Sequence, residues 1–338
     1  MTDYSQMKLG AFFHDDARNI KLRTILRTLP PYPAAFDVDT RYPVLNDTRM
    51  FKNDIYGDCV IAGRAHQTLR FECFEQGCNI PITDSEVTNE YFLETGGSDS
   101  GLDMLNSLNL WRQQGWKTAG NQYSIYAFAQ VNIQDKNECM AACYLFNGLY
   151  IGLRLPISAQ HQDVWDVAIT NNQPGSWGGH CVYVFAYDTE GLTCITWGKR
   201  QRMTWAFFQT YCDQAFALID NRDNWVTNSP VDITTLSNIL KEVTGEPIPP
   251  PVPIPPPVPT TGTIVVSSIP PAVIISVDNI IKGAAPQTIT LPEAITLSAA
   301  TSPAIPLEVI PSRLRPGVII PLLSRYRSRS TNAVSHKS

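Results

Sequence analysis

Two residues in this sequence could form a nucleophile and the base that activates it. Cys59 follows a polar stretch, residues 53–58, and opens the run CVIAGRAHQTLRFECFE, whose apolar spacing predicts a helix from Cys59 to about Glu75. The free N–H groups and the dipole at a helix N-terminus favour a thiolate over a thiol. Cys59 is therefore a candidate nucleophile, and the alternative is a half-buried structural cysteine at a helix start.

The sequence has five histidines, so a base can be sought by elimination. His66 shares the helix of Cys59 but lies seven residues on, roughly 10 Å along the axis and out of hydrogen-bond range. His14 and His336 fall in irregular ends, and His161 is expected at the surface. His180 opens a strand directly after the turn-rich stretch QPGSWGG, where small residues permit close approach of another backbone or a substrate.

The elements that must position these two residues change type along the chain. A capping box at Thr83-Asp84-Ser85-Glu86 predicts a second helix, and helices are also predicted around residues 102–115, 135–146 and 205–211. Strands are predicted at 123–131, 149–155 and 215–219, and a hairpin over HCVYVFAYD and LTCITWG. Helices followed by an antiparallel sheet indicate an α+β fold.

A cysteine opening a helix and a histidine opening a strand 121 residues later resemble the layout of papain-like cysteine peptidases. The resemblance covers about residues 40–226 and implies a helical lobe and a β lobe that meet at a cleft. In that pattern an amide side chain six residues before the nucleophile helps to stabilise the oxyanion, and Asn53 occupies this position. Tyr187 and the Trp197-Gly198 pair fit the strand and turn that follow the histidine.

More narrowly, NDIYGDCVIAGRAH, GSWGGHCVYVFAYD and the segments around them are similar to a group of bacterial and phage papain-like proteins of poorly defined function. Two departures stand out. After its cysteine the family motif has an aromatic residue, whereas Val60 follows Cys59 in this sequence. The Asn that usually orients the histidine is also missing. Thr196, sixteen residues after His180, could accept the Nδ1–H of His180 and hold its tautomer, whereas Ile195 could not. Asp188 lies too far along the strand to serve.

Charge and proline are unevenly distributed. Nine of the 26 prolines fall in PIPPPVPIPPPVP, which predicts a stiff polyproline spacer and a domain boundary. The net charge is −5, yet no acidic residue follows Glu308 and the tail is basic, so the main domain is strongly acidic and is not expected to bind nucleic acid. The eight cysteines show no CxxC spacing and are interpreted as thiols, and no cofactor or metal is expected.

Beyond the spacer, GTIVVSSIPPAVIISVDNIIKGAAPQTITLPEAITLSAA resembles the PEGA domain, a small β module, with turns expected at Pro270-Pro271, Asp278-Asn279 and Gly283. Such a short unit is expected to borrow strands from residues 305–323 or from a partner. We predict five successive segments in the chain. They are an irregular segment at 1–45, a papain-like domain at 46–226, a spacer and linker at 227–261, a β-sandwich-like PEGA-like domain at 262–323 and a basic disordered tail at 324–338.

These features lead to one main hypothesis about function. Cys59 and His180 would carry out acyl transfer on a peptide or protein substrate, with Asn53 at the oxyanion and Thr196 orienting the histidine. A catalytically silent papain-like scaffold for phage or cell-surface assembly, and a transglutaminase or amidase variant of the same pair, stay open. The C-terminal module would bind a surface or assembly partner. Neither a signal peptide nor a membrane span is recognised, so a cytoplasmic or virion-associated protein is expected.

Overall fold

A computed structural model describes residues 2–26, 28–41, 47–76, 79–220 and 231–244, together with the strand segments 261–268, 274–277, 280–284, 287–292 and 307–311. The chain divides into two compact units, Met1–Ile254 and Pro255–Ser338. The end of the predicted papain-like domain at 221–226, the proline-rich linker at 245–260 and the basic tail at 324–338 lie outside the described residues.

Between residues 59 and 211, the helices of the first unit come from the segments that the sequence indicated. Their bounds are α1 Leu22–Ile25, α2 Val38–Arg41, α3 Cys59–Gln76, α4 Asp84–Glu94, α5 Met104–Gln114, α6 Lys136–Leu145, α7 Trp205–Tyr211 and α8 Ile233–Thr244. The predicted capping box is confirmed, because the Thr83 hydroxyl accepts from the backbone N–H of Glu86 and the Glu86 carboxylate accepts from that of Thr83. A single turn of 3₁₀ helix, Ile157–His161, lies between strands.

The strands of this unit form one large sheet and two small ones. Their bounds are β1 Ala11–Phe12, β2 Phe36–Asp37, β3 Leu102–Asp103, β4 Trp116–Thr118, β5 Asn121–Tyr123, β6 Ile125–Gln130, β7 Leu149–Leu155, β8 Val164–Trp165, β9 Gly178–Tyr187, β10 Gly191–Thr196, β11 Lys199–Thr204 and β12 Cys212–Asp220. The large sheet runs β6-β12-β7-β9-β10-β11-β8, and β2 pairs with β9. All of its pairs are antiparallel except β11 with β8, which confirms the predicted hairpin and the α+β class.

Two hydrophobic cores lie in the first unit. One packs α3, α4 and α5 and includes Cys59, Cys181 and Tyr150. The other packs α6 and α7 and includes Val182 and Phe207. Strands β7, β9 and β12 contribute side chains to both cores. The arrangement places the start of α3 against β9, where Cys59 and His180 were expected to meet.

The N-terminal segment is more ordered than the sequence suggested. Residues 1–45 were predicted to be irregular, yet they contain two strands of two residues and two single-turn helices, α1 and α2. These elements are too short to produce a periodic pattern, and each depends on a partner elsewhere in the chain. For example, β1 pairs in parallel with β3, about ninety residues later. The segment packs against the main domain, with Tyr4 buried and its hydroxyl donating to the amide oxygen of Gln201.

In the second unit, the described strands are β13 Thr261–Ser268, β14 Ile274–Val277, β15 Ile280–Ala284, β16 Gln287–Pro292 and β17 Leu307–Pro311. β13 lies between β16 and β17, and β14 pairs with β15. The prediction that the module recruits a strand from residues 305–323 is confirmed by β17. The turn predicted at Gly283 is wrong, since Gly283 lies within β15 opposite Ile275 at an irregularity of the pairing. The turns predicted at 270–271 and 278–279 lie outside the described residues.

Among the helices that the structure describes, we find none with the length and apolar character needed to cross a membrane.

Candidate active site

Cys59 is the first residue of α3, as the sequence predicted. The carbonyl oxygen of Asp58 accepts the first helical hydrogen bonds, from Ile61 at 2.9 Å and Ala62 at 3.0 Å. The preceding loop is compact, because Phe51 and Lys52 adopt left-handed backbone angles (φ 54° and 68°) and the N–H of Tyr56 returns to the Lys52 carbonyl. This loop fixes the position of Cys59 at the start of α3.

The thiol of Cys59 lies in a buried environment, with 1% of the residue exposed. Burial raises its pKa to about 12, although backbone N–H groups of Cys181 and Gly10 that donate to the sulfur act in the opposite direction. The expectation that the helix N-terminus would give a thiolate is therefore wrong for this state of the molecule. The cost of desolvating the thiolate exceeds the stabilisation that the backbone donors give it.

His180 lies near the start of β9 and is also buried, with 1% of the residue exposed. Its Nε2 is 2.6 Å from the hydroxyl oxygen of Thr196, the last residue of β10. The sequence had assigned this contact to Nδ1, so the ring nitrogen was predicted incorrectly. Nδ1 has no hydrogen-bond partner among the described residues, and burial lowers the pKa of the imidazole to about 3.

The packing of α3 on β9 places Cys59 against the residue that follows His180. The backbone N–H that reaches the sulfur of Cys59 belongs to Cys181, the residue next to His180. The imidazole lies flat against the indole of Trp197, with ring centroids 4.3 Å apart. A neutral thiol and a neutral imidazole with one free nitrogen thus occupy the junction of the helical and β lobes.

Asn53 is buried beside this junction, and its amide is already engaged. Nδ2 donates to the Oδ1 of Asp58 at 3.0 Å and to the carbonyl oxygen of Tyr56 at 3.3 Å. Both hydrogens of the amide are used in this arrangement, so an oxyanion would have to replace one of these acceptors. The predicted oxyanion donor is therefore near the nucleophile but is paired within the loop.

Asp58 is a residue of this site that the sequence reasoning missed. Its carboxyl is buried, and the burial raises its pKa to about 8, while the hydrogen bond from Asn53 acts to lower it. The Oδ2 of Asp58 has no partner among the described residues. An acidic residue directly before a helix-start cysteine was the available signal, since an uncharged acid there can donate a hydrogen bond next to the thiol.

Residues 8–13, which we call the cleft segment, lie across the junction. The N–H of Leu102 donates to the carbonyl oxygen of Gly10 at 2.7 Å, and the indole N–H of Trp197 donates to that of Lys8 at 3.3 Å. A Cβ added to Gly10 would overlap the Gly57 carbonyl, and one added to Gly179 would overlap the Ala11 carbonyl. The segment therefore contacts both lobes.

His66, His161 and Asp188 have partners or surroundings away from this junction, in agreement with the elimination by sequence. His66 is buried with its Nε2 3.0 Å from the Arg49 carbonyl oxygen, and the His161 side chain is 57% exposed. Asp188 is paired with Arg202 at 2.7 Å. Within the part of the chain that the structure describes, no group of three or more His, Cys, Asp or Glu residues is arranged to hold a metal ion.

Comparison with known proteins identifies the fold. No family model and no curated protein matches the sequence. Among solved structures, the chain is similar to xylellain, a cysteine protease from Xylella fastidiosa, with 12% identity and a TM-score of 0.52 over 65% of this chain and 97% of that one. It is also similar to procathepsin B S9 from Trypanosoma congolense, with 10% identity and a TM-score of 0.50 over 64% of this chain and 87% of that one. The chain has the two-lobed fold of papain-like cysteine proteases.

Proposed function

We propose that this protein is a cysteine hydrolase that cleaves peptide bonds through Cys59 and His180. The observation that carries the proposal is the placement of the two residues: the sulfur of Cys59 accepts a hydrogen bond from the backbone of Cys181, and His180 is the preceding residue. The fold of papain-like cysteine proteases supports the same interpretation. A peptide or protein is the substrate class that fits a cleft already filled by an extended segment of chain.

The chemistry follows from the free nitrogen of His180. In the tautomer whose Nε2–H donates to Thr196, Nδ1 presents a lone pair and can take the proton of the Cys59 thiol. The sulfur then attacks the substrate carbonyl, the C–N bond breaks, and the proton on Nδ1 passes to the leaving amine. Water hydrolyses the thioester to a carboxylic acid and restores the thiol.

In this proposal the developing oxyanion is stabilised by the backbone N–H of Cys59 and by the Asn53 amide after it turns from Tyr56 or Asp58. Loss of one such donor typically costs about 100- to 1,000-fold in rate. Thr196 acts as a positioning residue, because its hydroxyl contacts the histidine and not the reacting atoms. In the papain-like pattern an Asn orients the histidine, and Thr196 takes that role in this proposal.

Access to the site requires that the cleft segment move. Cys59 and His180 are each 1% exposed beneath it, so no peptide can reach the sulfur while Gly10 remains opposite Gly57. The C-terminal unit supplies binding in this proposal: it is a small β module resembling the PEGA domain, on a proline-rich spacer, and would hold the enzyme to a surface or an assembly of bacterial or phage origin.

Hydrolysis of a mixed peptide library, followed by mass spectrometry, tests the proposal. The full chain is assayed unaltered and as Gly10→Val, which makes the cleft segment collide with Gly57. We expect cleavage by Gly10→Val protein and a loss of more than about 1,000-fold on adding Cys59→Ala. Adding Cys143→Ala, which removes a buried thiol from the other core, is the matched control and should retain activity.

A binding scaffold without catalysis is the second candidate, and the enclosed thiol is the observation that favours it. Absence of cleavage from Gly10→Val protein whose Cys59 reacts with iodoacetamide would contradict the hydrolase and leave the scaffold. Transfer of an amine to a glutamine-containing peptide, in place of hydrolysis, would instead identify a transglutaminase that uses the same two residues.

A further inference from the structure

We propose that the cleft over Cys59 selects extended peptides with a glycine opposite the thiol, and that the cleft segment is such a peptide, bound within its own chain. The inference rests on the proposed function, since it names the substrate class and the regulation of that same site.

The first support is the way in which the backbone of the segment is held. Ala11–Phe12 pairs in parallel with Leu102–Asp103, and the Leu102 N–H donates to the Gly10 carbonyl at 2.7 Å. On the opposite side, the indole of Trp197 donates to the Lys8 carbonyl. Main-chain bonds of this kind give affinity to any extended chain, as in other strand-addition complexes. The cleft is therefore built to bind a peptide backbone from both walls.

The second support is the absence of space for a side chain where the segment passes the thiol. A Cβ on Gly10 would overlap the carbonyl oxygen of Gly57 and lie within 2.7 Å of the Gly57 Cα. Both neighbours are backbone atoms, so they cannot turn aside as the end of a flexible side chain could. The backbone N–H of Gly10 donates to the sulfur of Cys59. The position that faces the nucleophile thus accepts glycine and excludes larger residues.

The third support is the fit of the residues on either side. Leu9 packs against Gly178, where an added Cβ would lie 2.8 Å from the Leu9 Cδ1 atom. Phe13 packs over Gly152 in the same manner. In contrast, Phe12 is 55% exposed and contributes little to recognition. The preference that the structure assigns is a leucine, a glycine and a small residue in succession, followed by an aromatic residue two positions later.

The experiment uses a fluorescein-labelled synthetic peptide of residues 6–15 and the full chain. Iodoacetamide labelling of Cys59 is followed by peptide mapping, and peptide binding by fluorescence anisotropy. We compare the unaltered protein with Gly10→Val, and with Ala17→Val as the matched control, because Ala17 is an exposed residue shortly after the segment. Leu9→Asp provides a second way to weaken the segment, and circular dichroism checks that each variant is folded.

We expect Cys59 to be labelled at least tenfold faster in Gly10→Val and Leu9→Asp than in the unaltered and Ala17→Val proteins. The peptide should bind only to the two variants with a weakened segment, and a peptide with valine at its glycine should bind at least tenfold more weakly. Equal labelling of Cys59 in folded Leu9→Asp and unaltered protein would overturn the occupancy. Equal binding of the glycine and valine peptides would overturn the selectivity.

These results do not depend on turnover, so the inference and the proposed function can fail separately. Labelling and selective binding without hydrolysis would retain the cleft preference and remove the hydrolase. Hydrolysis of peptides regardless of glycine, with Cys59 freely labelled in the unaltered protein, would retain the hydrolase and remove this inference.

Discussion

The imidazole of His180 stacks on the indole of Trp197, with ring centroids 4.3 Å apart and an angle of 12° between the planes. The edge of the same imidazole contacts Thr196, and the indole N–H donates to the Lys8 carbonyl in the cleft segment. One aromatic side chain therefore contacts the proposed base and the segment that covers it. The orientation of His180 and the occupancy of the cleft are linked through Trp197.

Thr196→Val should weaken both the site and the protein. Valine has the shape of threonine but leaves Nε2 of His180 buried without a partner, which costs about 1–3 kcal/mol of unfolding free energy. With the tautomer no longer held, kcat should fall at least about tenfold with KM little changed. Urea denaturation and peptide hydrolysis by the Gly10→Val form measure the two effects.

Thr196→Ser keeps the hydroxyl and should restore the rate, whereas Thr193→Val, on the same strand but away from His180, should alter neither quantity. A Thr196→Val protein with an unchanged kcat and urea midpoint would show that Thr196 does not position the histidine.

Asp58 should make stability fall as the pH rises. Burial raises its pKa to about 8 in the folded protein, against about 3.9 when unfolded, so the folded state holds the proton more tightly. Its contribution is complete below pH 4 and is lost between pH 4 and pH 8, at no more than about 1.4 kcal/mol per pH unit. Asp58→Asn should therefore gain stability over the unaltered protein across that range, measured by urea midpoints at pH 4, 6 and 8.

Asp188 provides a comparison of opposite sign. Its hydrogen bond from Arg202 lowers its pKa to about 2, so its contribution is present above pH 4 and is lost as the pH falls toward 2. The difference in stability between Asp188→Asn and the unaltered protein should therefore stay nearly constant between pH 4 and 8. A similar trend in both variants would contradict the assignment to Asp58.

Arg64→Met should destabilise the helical lobe strongly. The Arg64 guanidinium is buried and contacts Glu90 at 3.0 Å and Glu94 at 2.6 Å, and it also donates to the hydroxyl and the carbonyl of Ser107. Removing the cation leaves two carboxylates in a poorly solvated place, and breaking such a buried pair typically costs about 3–5 kcal/mol. Urea denaturation measures the loss.

Arg154→Met, which breaks the exposed pair with Asp213, is the control and should cost less than about 1 kcal/mol. Adding Glu94→Gln to Arg64→Met should recover part of the stability. Equal losses from the buried and the exposed arginine would show that the ion pairs of Arg64 are solvated.

Ending the chain at residue 302 should disturb the second unit by removing β17. Ile264–Ser268 of β13 pairs with this strand, and the freed backbone groups would then exchange with solvent. Hydrogen exchange across Thr261–Ser268 should be faster than in the full chain. Ending the chain at residue 323 removes only the basic tail and should leave that exchange unchanged; an equal effect of both truncations would contradict a role for β17.

The sequence predicted those features that are encoded over short distances. The start of α3 at Cys59, the capping box at Thr83 and the hairpin that begins at His180 each depend on a local pattern, and the structure has all three. The two-lobed fold was predicted from the resemblance to papain-like cysteine peptidases that Cys59 and His180 carry, and similarity to solved structures confirms it.

Features that depend on distant contacts were not predictable in this way. Gly10 directly precedes β1, a strand of two residues whose partner is distant in sequence, so no periodic pattern reveals that Gly10 lies against Gly57. The raised pKa of Cys59 was not predicted, because the helix terminus is visible in the sequence, whereas the burial that opposes it depends on tertiary packing. Which ring nitrogen of His180 contacts Thr196 depends on the rotation of the imidazole, and the sequence does not determine that rotation.

Strand β9 separates the two hydrophobic cores, since Cys181 packs into the core that contains Cys59, and Val182 packs into the opposite one. On the neighbouring strand β7, Tyr150 packs into the core that contains Cys59, and Ile151 packs into the opposite core. Neither core can lose its structure without exposing the sheet that supports the other. The two lobes should therefore unfold in a single cooperative transition, and an intermediate that retains one lobe alone should not accumulate.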